Sequence, residues 1–138
     1  MVVIKIKRVY EKYDVTDGMR ILVDRLWPRG IRHTSANIDL WFRDVAPSTE
    51  LRKWFAHDPS KWGEFKKKYR AELKDSKALD KLIDLAKSSG LVTLVYAAKD
   101  EKHNDAVVLS EVLAGKLKSE EKKEAKLKRA AGNIPRAH

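Results

Sequence analysis

Two largely apolar runs constrain the fold of this chain more than any other feature of its sequence. They cover residues 19–26 and 91–97, and each passes into a stretch of charged residues. Runs of this kind are typical of strands in parallel sheets, which are covered on both faces. Helical patterns separate the two runs, and alternating strands and helices predict an α/β fold. We expect a small, mostly parallel sheet flanked by helices in a three-layer, Rossmann-like arrangement.

Helix start and stop signals divide the rest of the chain. Helices are predicted to begin at Ser48, at Asp58-Pro59 and at Asp75-Ser76, because each site offers a side-chain cap. Gly90 is expected to end the third helix, and a fourth is predicted from 104 to 114, ending near 115. Residues 38–42 alternate as a short strand would.

The absence of certain residues and patterns excludes several classes of protein. The 138 residues contain no cysteine, so disulfides, thiolate metal sites and a cysteine nucleophile are excluded. The four histidines do not stand at metal-ligand spacing, and no glycine-rich phosphate loop occurs, so we expect no metal and no cofactor. No stretch approaches the roughly 20 apolar residues of a membrane span. We expect a cytoplasmic protein without a membrane partner, and its oligomeric state is left open.

Positive charge is concentrated at the end of the chain. The net charge is +10, and residues 116–138 carry eight Lys or Arg against three Glu, which is half of that excess. We therefore expect a single α/β domain over 1–115 and a basic C-terminal tail over 116–138, helical or disordered. The tail is either a solvated segment that aids solubility or an arm that contacts nucleic acid.

The carboxyl ends of the two predicted strands are the expected place for a site, because ligands bind there in open α/β sheets. Three cations and the free amides of a helix starting at Asn104 would form an anion-binding concavity for phosphate or carboxylate. Asp24, if buried, needs a partner, and an arginine is the simplest one. Trp27 is expected to wall the pocket, while Tyr96 is either core or a hydroxyl in the site. The candidate cations are Arg25, Arg29 and Lys99.

His103 and Asp100 are the candidate catalytic residues of this region. An imidazole titrates near neutral pH and can act as a general acid or base, whereas a surface histidine that hydrogen-bonds its loop is the plainer interpretation. His57-Asp58 is interpreted first as a helix junction and second as a catalytic pair.

Several motifs resemble the YeaO-like branch of a bacterial and archaeal family of unknown function. They occur in one order over roughly residues 2–114, and the basic tail lies outside them. The resemblance implies an α/β fold and brings no established substrate or cofactor. In the wider family a Cys-His-Arg sequence follows the late strand, and here it aligns with Lys102-His103-Asn104, without the thiol. The matching segments are residues 23–30, 39–41, 46–52, 54–59, 96–101 and 103–104.

Three functions remain open from the sequence. The first is an anion-binding domain, with enzymatic phosphoryl or glycosidic chemistry by His103 or Asp100 as an extension. The second is a nucleic-acid-binding or regulatory protein that uses its basic surface and tail. The third is a structural or interaction domain with an internal ion-pair network around Asp24 and Arg25.

Overall fold

A computed structural model describes residues 2–132 of the chain. Four strands form one sheet in the order β1-β4-β2-β3, and every neighbouring pair is parallel. The α/β class, the parallel sheet and the C-terminal helix are confirmed. The strands are β1 (Val3–Arg8), β2 (Met19–Leu22), β3 (Leu40–Trp41) and β4 (Leu91–Tyr96), and the helices are α1 (Thr49–Phe55), α2 (Trp62–Leu73), α3 (Lys77–Ser89) and α4 (Asp105–Gly132).

All four α-helices pack on one face of the sheet. Alternate residues of the central strands, such as Ile21 and Leu94, share a single buried cluster with the apolar stripes of the helices. The parallel register places these two residues side by side. Every second residue of the strands and the apolar residues on one side of each helix therefore pack into the same core.

The second face is covered by irregular segments instead of α-helices. Its smaller cluster joins Leu22 and Val95 to residues of the connections before and after β2, including Trp27 and Trp41. Two short 3-10 helices, Val15–Asp17 and His33–Ser35, occur in those connections. The second helical layer of the predicted three-layer arrangement is therefore absent from the described residues, and loops take its place. The segment 9–39 contains many polar and turn-forming residues, which do not favour a long helix.

Strand β2 is shorter than the predicted 19–26. Its last ladder bond runs from the Val23 amide to the Val95 carbonyl at 3.1 Å. The Asp24 carbonyl then accepts a hydrogen bond from Trp41 Nε1 at 2.8 Å, so a side chain replaces the next strand partner. The loop therefore begins at Asp24, which places its carboxyl group at the edge of the sheet.

The predicted helix boundaries are confirmed up to α3. Ser48 and Ser76 accept hydrogen bonds from the amides three residues later, as N-caps do. Asp58 caps a short 3-10 turn, Pro59–Lys61, that leads into α2. Gly90 ends α3 at φ 77°, in the left-handed region.

The predicted end of the fourth helix near residue 115 is wrong. Helix α4 continues through Gly115 to Gly132, and Leu117 is still buried against the core. Lys, Glu, Ala and Leu are good helix formers, and one glycine costs only about 1 kcal/mol. Residues 133–138, the end of the predicted tail, lie outside the described residues. Within 2–132, no helix has the length and apolar character needed to cross a membrane.

Candidate functional site at the carboxyl edge of the sheet

Asp24 lies directly after β2, half-buried at the carboxyl edge of the sheet. Its carboxylate accepts a hydrogen bond from the Ala97 amide, just beyond β4, at 2.9 Å. The ends of the two central strands are thus joined through this side chain. Burial raises the pKa of Asp24, although the hydrogen bonds from Asp105 and Ala97 act in the opposite direction.

Asp105, the first residue of α4, forms a carboxyl pair with Asp24. Burial, the charge of Asp24 and the hydrogen bond between the two side chains raise the pKa of Asp105 well above its usual value. Two carboxyl groups that share a hydrogen bond cannot both ionise easily, so the pair is expected to hold a proton. Among residues 2–132, no cationic side chain lies within 4.0 Å of either carboxylate. The Asp24–Arg25 ion pair envisaged from the sequence is not formed.

Arg25 instead donates to the backbone of the segment before α1. Its Nε bonds the Pro47 carbonyl at 3.0 Å, and its Nη2 reaches the Ala46 carbonyl at 3.5 Å. The pKa of buried Tyr69 responds to both Arg25 and the carboxyl pair. Burial raises this pKa well above its usual value, and the charges of Asp105 and Asp24 raise it further, whereas Arg25 lowers it. The charges of Arg25 and of the carboxyl pair therefore act on the same buried phenol in opposite directions.

The loop from β4 to α4 brings Asp100, His103 and Asn104 together. The Asp100 carboxylate accepts from the amides of Lys102 and His103, and its second oxygen lies 2.8 Å from His103 Nδ1. The hydrogen bond to His103 is the largest of the effects that lower the pKa of Asp100. Buried Asn104 donates to the Asp100 carbonyl, so the two candidate catalytic residues form a pair within a closed loop.

The first turn of α4 has fewer free amides than the sequence suggested. The Val107 amide bonds the Asn104 side chain at 3.1 Å, and the Ala106 amide bonds the Asp105 carboxylate at 2.9 Å. Side chains of the protein thus already occupy two of the four amides that a helix N-terminus leaves open.

Histidines and aromatic rings lie beside the carboxyl pair. His57 follows Ala56 in the left-handed region, with φ 57° and 46°, and its presence is among the effects that lower the pKa of Asp24. The ring of Trp62 meets His103 edge-on at 5.2 Å between centroids and lies 6.0 Å from Phe55. Two successive left-handed residues without glycine are strained, and strain of this kind often occurs at functional sites.

The other predicted ligand-binding residues are dispersed. Trp27 packs on the second face, where its ring stacks on His33 at 3.7 Å and its indole donates to Ile31. Tyr96 is a core residue, and burial raises its pKa. Arg29 and Lys99 have exposed side chains without a hydrogen bond to any described residue. The structure therefore brings together Asp24, Arg25, Asp100, His103 and Asn104 at one edge of the sheet.

Sequence reasoning missed Asp105 and gave His57 only second place. Asp105 looked like an ordinary acidic residue in a first helical turn, and its distance from Asp24 along the chain hid the pairing. The one usable signal was that both predicted strands end beside an aspartate-bearing loop. No group of three or more candidate metal ligands occurs among residues 2–132.

Sequence reasoning also missed an ion-pair cluster of Asp17, Arg20 and Lys7, which lies on the second face of the sheet. Asp17 bonds Arg20 Nη1 at 2.7 Å and Lys7 Nζ at 3.1 Å, and the Arg20 side chain is only 2% exposed. Arg20 also donates to the Asn37 and Ala36 carbonyls. The signal was an arginine inside an apolar strand, three residues after an aspartate.

Comparison with known proteins gives the family of this chain. The match to the inactive DUF488-N3 subclade covers residues 3–131. The uncharacterized protein YeaO of Escherichia coli (strain K12) is 46% identical over 111 residues, which are 80% of this chain and 96% of YeaO. Uncharacterized proteins of Mycobacterium tuberculosis and Mycobacterium bovis are 44% identical over 113 residues, which are 82% of this chain and 95% of theirs. No solved structure matches significantly. The chain therefore belongs to the family described as the inactive DUF488-N3 subclade, and its YeaO-like resemblance is confirmed.

Proposed function

We propose that this chain is a ligand-binding domain that holds a small phosphate- or carboxylate-bearing molecule at the carboxyl edge of the sheet without converting it. The observation that carries this proposal is the state of Arg25. It is half-buried, it has no carboxylate partner among residues 2–132, and two backbone carbonyls hold its guanidinium in place. Its Nη1 bonds no described atom, so a planar, prepositioned donor is left for an anionic group.

The carboxyl pair supplies the second half of this binding site. A pair that retains a proton carries less negative charge, so it repels an anion at Arg25 less than two free carboxylates would. The retained proton stays in the hydrogen bond between Asp24 and Asp105, and the carboxyl oxygens offer acceptors to the polar part of a ligand. The proposed ligand therefore has an anionic group and a neighbouring hydroxyl or amine.

Two features support binding without conversion. The family is described as inactive. Exposed Lys102 stands where the wider family tends to carry a thiol, and a lysine in that position supplies no thiolate nucleophile. We propose that the bond between Asp100 and His103 closes the loop and positions the first turn of α4.

The proposal is tested by thermal unfolding and calorimetry with phosphate, sulfate, acetate and citrate. A ligand at ten times its Kd stabilises a protein by about 1.4 kcal/mol, which for this chain length corresponds to about 4 °C in Tm. We expect at least one anion to produce such a rise and the Arg25→Gln variant to lose it.

Lys53→Gln is the matched control, because Lys53 is an exposed cation on α1. It should keep the full response, whereas Arg29→Gln and Lys99→Gln should reduce it only slightly through the weaker general field. An unchanged response in Arg25→Gln, or no response of the wild type to any of the four anions, would reject the proposal.

A further inference from the structure

The second half of α4 projects from the body of the protein. Leu117 is the last residue of the helix with a buried side chain, and every residue from 118 to 131 is exposed except half-buried Glu120, which pairs with Lys87. At about 1.5 Å per residue, residues 118–132 extend for about 22 Å. The helix therefore presents a long surface that no other described element covers.

Four cations line one side of this projection: Lys118, Lys122, Lys126 and Arg129, here called the basic stripe. Their spacings of four, four and three residues keep them within about 80° of one another around a helix of 3.6 residues per turn. By the same geometry, the buried residues Leu113 and Leu117 lie on the opposite side. The basic stripe therefore lies on the side of the helix away from Leu113 and Leu117.

Apart from Glu121, which stands three residues after Lys118, the acidic residues of the projection lie away from the basic stripe. Glu120, Glu121 and Glu124 fall on the side of the helix that carries Leu117, according to the same helical geometry. Glu111 lies in line with the stripe about two turns nearer the body, but Arg70 at 2.8 Å and Lys66 at 3.6 Å already bind it. Most positive and most negative side chains of the projection therefore lie on different sides of the helix.

A groove between α2 and α4 continues the basic stripe towards the body. It has a volume of about 320 Å³, and Lys116 and Ser119 line it together with the ion pair of Arg70 and Glu111. Gly115 forms part of its floor, where a side-chain carbon would meet only open space. Phosphate groups that follow the stripe would meet the Lys116 ammonium and the Ser119 hydroxyl where the projection joins the body.

We propose that the basic stripe and this groove dock on the phosphate backbone of double-stranded nucleic acid. Successive cations of the stripe stand about 6 Å apart at most, which suits a duplex that presents one charge per about 1.7 Å of its axis. An α-helix also fits the major groove, which is about 12 Å wide. Asn and Gln, which recognise adenine in the major groove, are absent from residues 105–132. We therefore expect the helix to contact mainly phosphates, with little preference for base sequence.

The composition of α4 favours a duplex over other polyanions. Residues 105–132 contain no aromatic side chain, so the helix cannot stack the bases of a single strand. Between Leu117 and the end of the described helix, the one large apolar residue is Leu127, which is too little for an apolar face that inserts into a lipid surface.

Fluorescence anisotropy with a labelled 20-base-pair DNA duplex tests the proposal on the full chain. Lys122→Gln/Lys126→Gln removes two cations from the stripe, and Lys123→Gln/Lys128→Gln removes two from other sides of the same helix. With four phosphate contacts, the logarithm of the binding constant should fall with log salt at a slope of about −3.6. The stripe variant should halve that slope and weaken binding about tenfold or more at 50 mM salt, while the control stays within about twofold.

Circular dichroism should show equal helix content in both variants. Equal weakening by the two variants would overturn the proposal in favour of general charge attraction, and absence of duplex binding at 50 mM salt would reject it outright. Tighter binding to single-stranded DNA or to anionic phosphatidylserine vesicles than to the duplex would also overturn it. The surface is separate from Arg25, so these results do not depend on the ligand site at the sheet edge.

Discussion

The ion-pair cluster of Asp17, Arg20 and Lys7 and the carboxyl pair of Asp24 and Asp105 lie in different parts of the molecule, and their surroundings shift the pKa of the carboxyl groups in different directions. On the second face, burial acts to raise the pKa of Asp17, but hydrogen bonds from the Asp14 backbone, Lys7 and Arg20 outweigh it and leave the pKa lowered. At the carboxyl edge, Asp24 and Asp105 have each other and backbone amides as hydrogen-bond partners, and burial raises the pKa of both. We infer that ionised Asp17 stabilises the fold, whereas the buried pair of Asp24 and Asp105 destabilises it.

The largest effect is expected from removing the charge of Asp17. Asp17→Asn leaves Arg20 as a charge whose side chain is 2% exposed and whose carboxylate partner is gone. Breaking a buried pair in this way costs about 3–5 kcal/mol. Urea unfolding should show this loss, with Asp44→Asn, an exposed carboxylate, as a near-neutral control. A loss below about 1 kcal/mol would mean that the cluster on the second face does not hold the fold.

A smaller effect is expected at Tyr69, which joins the carboxyl edge to the core. Its hydroxyl donates to the Val45 carbonyl at 2.6 Å, and both groups are buried. Tyr69→Phe leaves that carbonyl without its partner and should cost about 1–2 kcal/mol in urea unfolding at pH 7. An unchanged unfolding midpoint would show that water replaces the hydroxyl, and that the edge is wetter than its burial indicates.

The smallest effect, and the only stabilising one, is expected from Asp105→Asn. The amide can still accept from Ala106 and donate to Asp24, and it removes a group that resists ionisation. At pH 7 we expect a gain of about 1 kcal/mol, as is common when a functional site is relieved of strain. A loss of stability would contradict the interpretation of the pair as costly to the fold.

The pH dependence of that gain has a defined sign. Because the pKa of Asp105 is raised in the folded state, the folded protein binds more protons than the unfolded chain above the ordinary value of 3.8. Wild-type stability therefore declines as pH rises from 3.8 through the raised pKa, and Asp105→Asn should flatten this decline. The lowered pKa of Asp17 acts in the opposite sense, since its stabilisation is lost as pH falls below 3.8 through the lowered value. Unfolding midpoints measured across pH for both variants separate the two contributions.

Local patterns predicted most of the fold and about half of the candidate site. Apolar runs and caps act over a few residues, which is why β4, α1 to α3 and the Gly90 stop could be predicted from the sequence. Asp100, His103 and Asn104 were found for the same reason, as they follow a clear strand end. Asp105 could not be assigned to the site, because its partner Asp24 is distant in the chain and only the folded sheet brings them together. The length of α4 was missed because the segment after Gly115 lacks an apolar stripe, and charged helix formers alone are a weak signal.

A carboxyl titration by ¹³C NMR of the wild-type protein tests the central claim most directly, because it follows Asp17, Asp24 and Asp105 in one sample. We predict that Asp24 and Asp105 titrate as a coupled pair, with one of its two steps well above 3.8, and that Asp17 titrates below that value. Titration of both Asp24 and Asp105 at or below 3.8, like ordinary exposed carboxylates, would contradict the account.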